Sequence, residues 1–408
     1  MSHSRNYKIP EILLVVFTTI LLYIVFTSDW EKRNNSPIET KFSHPEDTSW
    51  YVNLRNDLDN SLNNKSRFGF NGTILVGWDN KLIYEGYKGW ANYKEKDSIN
   101  KHTKFQIGSV SKQFTAVAIL QLYAQGKLNL KDSISKFFPD LPYQGFTIHQ
   151  LLVHRSGLSN YIYFIDRIVE DKSTTYTNND IIRLWKEYKP IPYYPPGRRF
   201  DYSNSGYMLL ASIIEKVSGM SYPEYMHKNI FEPLGMDDTF VYVAGKNDTV
   251  PNIAEGYKYH WKIVTEAYLN GTYGDKGIYS TAEDMFKWDQ GLYSGKILNT
   301  DTLALAFEPM GKPAHFKHNY GYGWRIFSYN GQKVLYHAGW WQGFKSLLIR
   351  VPDEKLTIVI LKNLKTGAMF SRNELLRLVL DNYLNTPIEA IVPDIPQFNQ
   401  CHFPDPAA

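Results

Sequence analysis

Near both ends of the chain, short apolar runs are cut by turn residues, and between them apolar positions recur at three- and four-residue spacing. Gly72 to Gly77 and Leu82 to Gly86, split by Asp79-Asn80, read as a β-hairpin, and Phe344 to Val351 and Leu356 to Leu361, around Pro352-Asp353, read as another. Phe114, Val117, Ala118, Leu120 and Leu122 fall at helical spacing in a segment ended by Gly126, and Gly206 to Val217 repeats the pattern. Strands at both ends with helices between them predict an α/β fold: one antiparallel sheet flanked by helices, with an all-helical insertion from about residue 128 to 310.

The N-terminal region has a different pattern. Arg5 and Lys8 precede Ile12 to Phe26, which is apolar except for Thr18 and Thr19. This run is shorter than the roughly 20 residues of a full membrane span, yet no Ala-x-Ala-like cleavage site follows it. Residues 1–28 are therefore expected to be a signal-anchor or signal peptide, the uncleaved anchor being favoured. The basic flank would stay inside and the rest cross the membrane. Residues 29–55 read as a linker, 56–385 as the main domain and 386–408 as a Pro-rich tail, with no internal repeat.

Composition narrows the classes. With 43% hydrophobic and 15% aromatic residues, the chain can bury a large core rather than remain disordered. A net charge of only +4, with Lys and Arg scattered, gives no sign of a nucleic-acid partner. Cys401 is the single cysteine, so an intrachain disulfide is excluded. The chain contains no Gly-x-Ser-x-Gly, His-Glu-x-x-His, Gly-x-x-x-x-Gly-Lys-Ser/Thr or Gly-x-Gly-x-x-Gly pattern. His315 and His318 form a close pair, but no neighbouring carboxylate or cysteine completes a metal site. Neither metal nor cofactor is expected.

Three short motifs carry the chemistry: Ser109-Val110-Ser111-Lys112, then Tyr202-Ser203-Asn204, then His337-Ala338-Gly339. Ser-x-x-Lys also occurs at Ser98/Lys101 and Ser133/Lys136, so context must choose. Ser109 follows the extended Phe105-Gln106-Ile107-Gly108 and opens the apolar-periodic helix, whereas Ser98 runs into a polar stretch and the Ser133 segment is stopped by Pro139. A serine hydroxyl is a poor nucleophile until a base takes its proton. Lys112 lies one turn on, roughly 5–6 Å between Cβ atoms, and burial disfavours its charged form. Tyr202 can exchange a proton with the serine or a leaving group, and the Asn204 carboxamide can hold both a lysine and a substrate amide. Tyr202-Ser203-Asn204 reads as a loop after the Tyr194-Pro195-Pro196-Gly197 turn, and His337 as a strand edge closing Lys333-Val334-Leu335-Tyr336.

These residues resemble the serine β-lactamase-like hydrolases, the family of class C β-lactamases, D-Ala-D-Ala carboxypeptidases and certain esterases. The likeness extends over Leu151-Leu152-Val153-His154-Arg155-Ser156-Gly157-Leu158, Pro196-Gly197 through Tyr207, Pro233-Leu234-Gly235-Met236 and Gly277-Ile278-Tyr279-Ser280-Thr281-Ala282-Glu283-Asp284-Met285, from about residue 56 to 385. The resemblance implies that Ser109 is acylated, Lys112 activates it, Tyr202 is the general base and Asn204 positions substrate. It also implies an oxyanion hole from the backbone N–H groups of Ser109 and Trp340, the residue after Gly339, in the groove between sheet and helical part.

His337 stands where class C β-lactamases have the lysine of Lys-Thr-Gly. With an unperturbed pKa near 6.5, histidine is mostly neutral at pH 7, so it holds a substrate carboxylate less firmly than lysine would. Ala338 lacks the hydroxyl that threonine would add, and Trp340-Trp341 suggests an apolar wall beside the serine. The expectation is an extracytoplasmic serine hydrolase, membrane-anchored or secreted, acting through an acyl-enzyme on an ester, amide or D-amino-acid peptide. Its substrate would be a small molecule or a peptide, peptidoglycan-derived peptides included. A β-lactamase and a slow-turnover penicillin-binding or sensor protein are the alternatives.

Overall fold

The computed structural model describes residues 49–247, 249–264, 268–310 and 319–381. The apolar run Ile12 to Phe26, most of the expected linker, the His315/His318 pair and the Pro-rich tail lie outside them. Among the described residues no helix is long and apolar enough to cross a membrane.

The first hairpin is β1 (Gly72–Trp78) and β2 (Lys81–Lys88), and Asp79 and Asn80 take the positive φ values, 45° and 62°, that a tight two-residue hairpin turn needs. Short strands β3 (Trp90–Asn92), β4 (Asp97–Ser98), β5 (Phe105–Gln106), β6 (Phe240–Val241), β7 (Ile278–Ser280) and β8 (Asn319–Tyr320) follow. The chain then forms β9 (Arg325–Tyr329), β10 (Gln332–Trp341), β11 (Phe344–Val351) and β12 (Leu356–Lys362). The main sheet has seven strands in the order β2-β1-β12-β11-β10-β9-β8, so pairing of β1 with β12 joins the start of the domain to its end. Each of these neighbouring pairs is antiparallel.

Alternation along the strands gives the sheet two apolar faces. Ile74, Val76, Ile358 and Ile360 pack on one side with Leu54, Leu58 and Leu62 of the helix Ser49–Arg67 and with Leu375, Leu376 and Val379 near the end of the domain. Leu75, Val359 and Leu361 point the other way, onto the core around Val117, Leu120 and Leu122 of the helix Ser111–Ala124. That helix is hydrophobic all round, which fits its place between the sheet and the helical part.

Three local expectations change. Residues 49–55 are the first turns of a helix rather than linker, because one leucine every fourth position makes a seam narrow enough to be masked by its polar neighbours. The insertion from 128 to 310 is rich in helix and loop but also carries β6 and β7, which form a three-stranded sheet with β5 in which β7 pairs with both of the others. Strands of two and three residues are too short to show alternation. His337 does not end a strand: β10 continues to Trp341, hydrogen-bonded on both sides around Leu335 and Tyr336.

Candidate active site

Ser109 sits in a tight turn, Gly108–Val110, between β5 and the helix Ser111–Ala124. Its neighbours Gly108 and Val110 are buried while Ser109 itself is partly exposed. Two glycines let this turn lie on the backbone of β10. Gly108 has φ +51°, and a Cβ there would come within 2.8 Å of Trp340 N; a Cβ on Gly339 would come within 2.1 Å of Ile107 O. Ser346, paired with Gly339 across β11, donates its hydroxyl to that same Ile107 carbonyl at 2.7 Å. The backbone of Ser109 is thereby held beside that of Trp340.

Lys112 follows on the same helix and is fully buried. Its Nζ is 3.1 Å from Ser109 Oγ, 2.8 Å from Asn204 Oδ1 and 2.9 Å from Asp275 O. Asn204 is the first residue of the helix Asn204–Ser218, so the second motif is a loop only up to Ser203. The Tyr202 ring lies 5.0 Å from Lys112 Nζ, measured to its centre. Ser109 and Lys112 from one segment, and Tyr202 and Asn204 from another far away in sequence, thus meet in one place.

The structure adds two residues to this group that the motifs alone do not reveal. His154, inside the Leu151–Leu158 stretch, is buried with its ring 4.1 Å from that of Tyr202. Its carbonyl accepts from Asp201 N at 2.8 Å and its Nδ1 from Ser203 N at 3.3 Å, so it braces the loop on both sides of Tyr202. Burial first, then Lys112, holds its pKa well below the ordinary histidine value, leaving it neutral. Arg325 on β9 places its guanidinium carbon 5.5 Å from the centre of the Tyr202 ring. A lone arginine in Gly323-Trp324-Arg325-Ile326 gives no sequence signal; only the β9–β10 pairing brings it next to the third motif.

His337 is 1% exposed. Its Nδ1 donates to Ala338 O at 2.8 Å and its Nε2 accepts from the Tyr320 hydroxyl at 3.0 Å, so both ring nitrogens are engaged inside the protein. Burial first, then Arg325 and Lys112, keeps it neutral. Trp340 and Trp341 are partly exposed on opposite faces of β10, and Trp341 Nε1 donates to Asn270 Oδ1 at 2.7 Å. The competing serines are placed otherwise. Ser98 lies on the exposed strand β4, and the Ser133 hydroxyl caps the short turn Ile134–Lys136. Among the described residues no group of three or more His, Cys, Asp or Glu gathers to hold a metal ion.

A seven-stranded antiparallel sheet covered by helices, with a partly exposed serine and a buried lysine of a Ser-x-x-Lys motif at its border, is the arrangement of one known family, and comparison with known proteins agrees. The Beta-lactamase family model matches residues 70–381. Penicillin-binding protein 4* of Bacillus subtilis (strain 168) is 33% identical over 310 residues, covering 72% of this chain and 68% of the relative. Among solved structures, a penicillin binding protein from Bacillus halodurans is 29% identical with a TM-score of 0.67, covering 77% of this chain and 96% of that one. D-amino acid amidase from Ochrobactrum anthropi SV3, complexed with L-phenylalanine amide, is 25% identical with a TM-score of 0.67, covering 83% and 99%. The chain belongs to the Beta-lactamase family, as a serine hydrolase of the β-lactamase fold.

Proposed function

We propose that the protein hydrolyses an ester, an amide or a D-amino-acid peptide through an acyl-enzyme on Ser109, outside the cytoplasm. The observation that carries this reading is the 3.1 Å contact between Lys112 Nζ and Ser109 Oγ. A neutral amine has two N–H groups and one lone pair. With the N–H groups directed at Asn204 Oδ1 and Asp275 O, the lone pair is left for the proton of the Ser109 hydroxyl.

The steps follow from that arrangement. Lys112 takes the Ser109 proton as Oγ bonds to the acyl carbon. The negative oxygen that develops is met by the backbone N–H groups of Ser109 and Trp340, each such donor being worth about 2.7–4 kcal/mol. As the bond to the leaving group breaks, the proton passes to the leaving oxygen or nitrogen, directly from Lys112 or by way of the Tyr202 hydroxyl. Water then attacks the acyl-enzyme with Tyr202 as general base: its oxygen takes the water proton as its own hydroxyl proton passes to the neutral Lys112 amine, the acyl carbon–Oγ bond breaks, and Lys112 returns that proton to Ser109 Oγ as the acid departs. Asn204 holds Lys112 and positions the substrate amide.

The names of two relatives support this substrate class: one is a penicillin-binding protein and one a D-amino acid amidase. Both favour a small amide or peptide, with peptidoglycan-derived peptides in scope. His337 offers such a substrate no charge, while Arg325 beside Tyr202 is the cation placed to meet a carboxylate. The apolar run Ile12 to Phe26 supports a membrane-anchored or secreted protein with its catalytic domain on the periplasmic or cell-surface side. The relative's name also favours a second reading, a penicillin-binding protein that acylates and deacylates slowly. Pre-steady-state kinetics with a chromogenic ester separates the two: steady turnover after the first equivalent supports hydrolysis, and a burst without turnover supports the sensor.

A further inference from the structure

Behind Lys112 the chain buries a second amine. Lys276 is 3% exposed and the adjacent Asp275 is 1% exposed. The Lys276 Nζ donates to the Tyr161 hydroxyl at 2.6 Å and to the Thr272 hydroxyl, and it lies 4.6 Å from the centre of the Trp341 ring. Its carboxylate partner, Asp275 Oδ1, is 3.7 Å away and is engaged at 3.2 Å by the Tyr161 hydroxyl instead. The backbone carbonyl of the same Asp275 accepts from Lys112 Nζ. One peptide segment therefore links the two amines.

Burying an ammonium costs several kcal/mol unless close partners compensate, and an apolar side chain of similar volume would fill this space more cheaply. A carboxylate 3.7 Å away, itself turned to a tyrosine, is an incomplete partner. The arrangement is explained if the charge acts on its neighbour. We propose that Lys276 is a positioning residue for acylation, a buried cation that opposes charge on Lys112 and so keeps that amine able to take the Ser109 proton. This rests on the acyl-transfer reading of Ser109.

Two like charges in a shared low-dielectric space disfavour one another, and such a pair titrates jointly. Burial pushes the Lys276 ammonium down to about 8; Asp275 works against that fall and Lys112 adds to it. Other groups face the pair as well. Asp275, Tyr161 and Trp341 surround Lys276, and the rings of Tyr202 and Tyr207 lie within reach of Lys112. His154 and His337 also feel Lys112 but are held neutral by burial, and Arg325 lies beyond Tyr202. Lys276 is the cation whose own peptide segment touches Lys112.

The test is the pH dependence of the rate at which a fluorophosphonate labels Ser109 in the full chain, a readout that needs no natural substrate. The position of the acid limb is read, not the height of the plateau. Lys276→Met is expected to move that limb up by about one pH unit, so that below it labelling falls about ten-fold relative to the unaltered protein. Lys276→Arg, which keeps the charge, is expected to leave the limb in place. Should the methionine variant not fold, Lys276→Gln, which keeps a donor for Tyr161 and Thr272, is read the same way. A limb that stays put in the neutral variants, a fall equal at every pH, or an arginine variant that shifts like methionine overturns the proposal. Absence of Ser109 labelling in the unaltered protein overturns the acyl-transfer reading itself, which separates the two failures.

Discussion

Gly339 packs so closely against the Ile107 carbonyl that a β-carbon would come within 2.1 Å of the oxygen. The third motif thus sets a distance between two backbones, and the position of the Ser109 turn depends on it. Gly339→Ala must push that turn away from Trp340 N, while the interlocked sheet stays intact. The expected result is a fall in kcat of about 10²–10³, the loss seen when one oxyanion donor is removed, with thermal unfolding little changed. Activity within a factor of about three of the unaltered protein would mean that the two backbones do not form the oxyanion hole.

Substrate charge should be read through Arg325 rather than through His337. His337 is buried, bonded to Tyr320 and Ala338, and held below its ordinary pKa, so acidifying from pH 7 to 6 leaves it neutral. Arg325→Gln is expected to lower kcat/KM for carboxylate-bearing substrates relative to neutral esters by about 5- to 150-fold, the span of a charged hydrogen bond worth about 1–3 kcal/mol. The ratio between the two substrate types, measured at pH 6 and pH 7, checks both halves. An unchanged ratio in the variant, or a ratio that climbs steeply on acidification, contradicts this assignment.

His154 and His337 also bear on stability. Burial lowers the folded-state pKa of each below the ordinary value of 6.5, so below that value the unfolded chain binds protons that the folded chain refuses. Stability from these groups is therefore complete above about pH 6.5 and lost as pH falls below it, by up to about 1.4 kcal/mol per pH unit for each proton. Urea denaturation between pH 7 and 5 should show this decline, and His337→Asn should make it shallower by about one proton. A slope identical to that of the unaltered protein would indicate that His337 is as protonated in the folded state as in the unfolded one.

Both hairpins and the helices after Ser109 and around Gly206 were legible because each buries a continuous stripe or alternating face, and periodicity records that directly. What the pattern could not show was contact made by single residues. His154 was visible only as part of a longer similarity, Arg325 acquires meaning only when β9 pairs with β10, and Lys276 reads as an ordinary surface lysine until Tyr161 and Trp341 enclose it. The helix over residues 49–55 was hidden for a different reason, a three-leucine seam within a largely polar segment. In the third motif the glycine was informative and the histidine less so, since His337 turns out to be engaged with Tyr320 inside the protein.

The Lys112–Ser109 contact predicts a sharp asymmetry between variants of the lysine and its acceptor. Lys112→Met removes the base and should lower acylation by about 10²–10⁴. Asn204→Ala leaves the amine in place without one acceptor and should cost less than Lys112→Met. Equal losses, measured as single-turnover acylation rates on an activated ester, would show that the carboxamide matters as much as the base.

Every step proposed for this site passes through covalent acylation of Ser109. Incubating the purified protein with a fluorophosphonate or an activated ester, then locating the adduct by peptide mass spectrometry, tests this most directly. One equivalent of adduct on Ser109, absent in a folded Ser109→Ala variant and strongly slowed in Lys112→Met, is the result predicted. An adduct on Ser98 or Ser133, or undiminished labelling after Ser109→Ala, would contradict it.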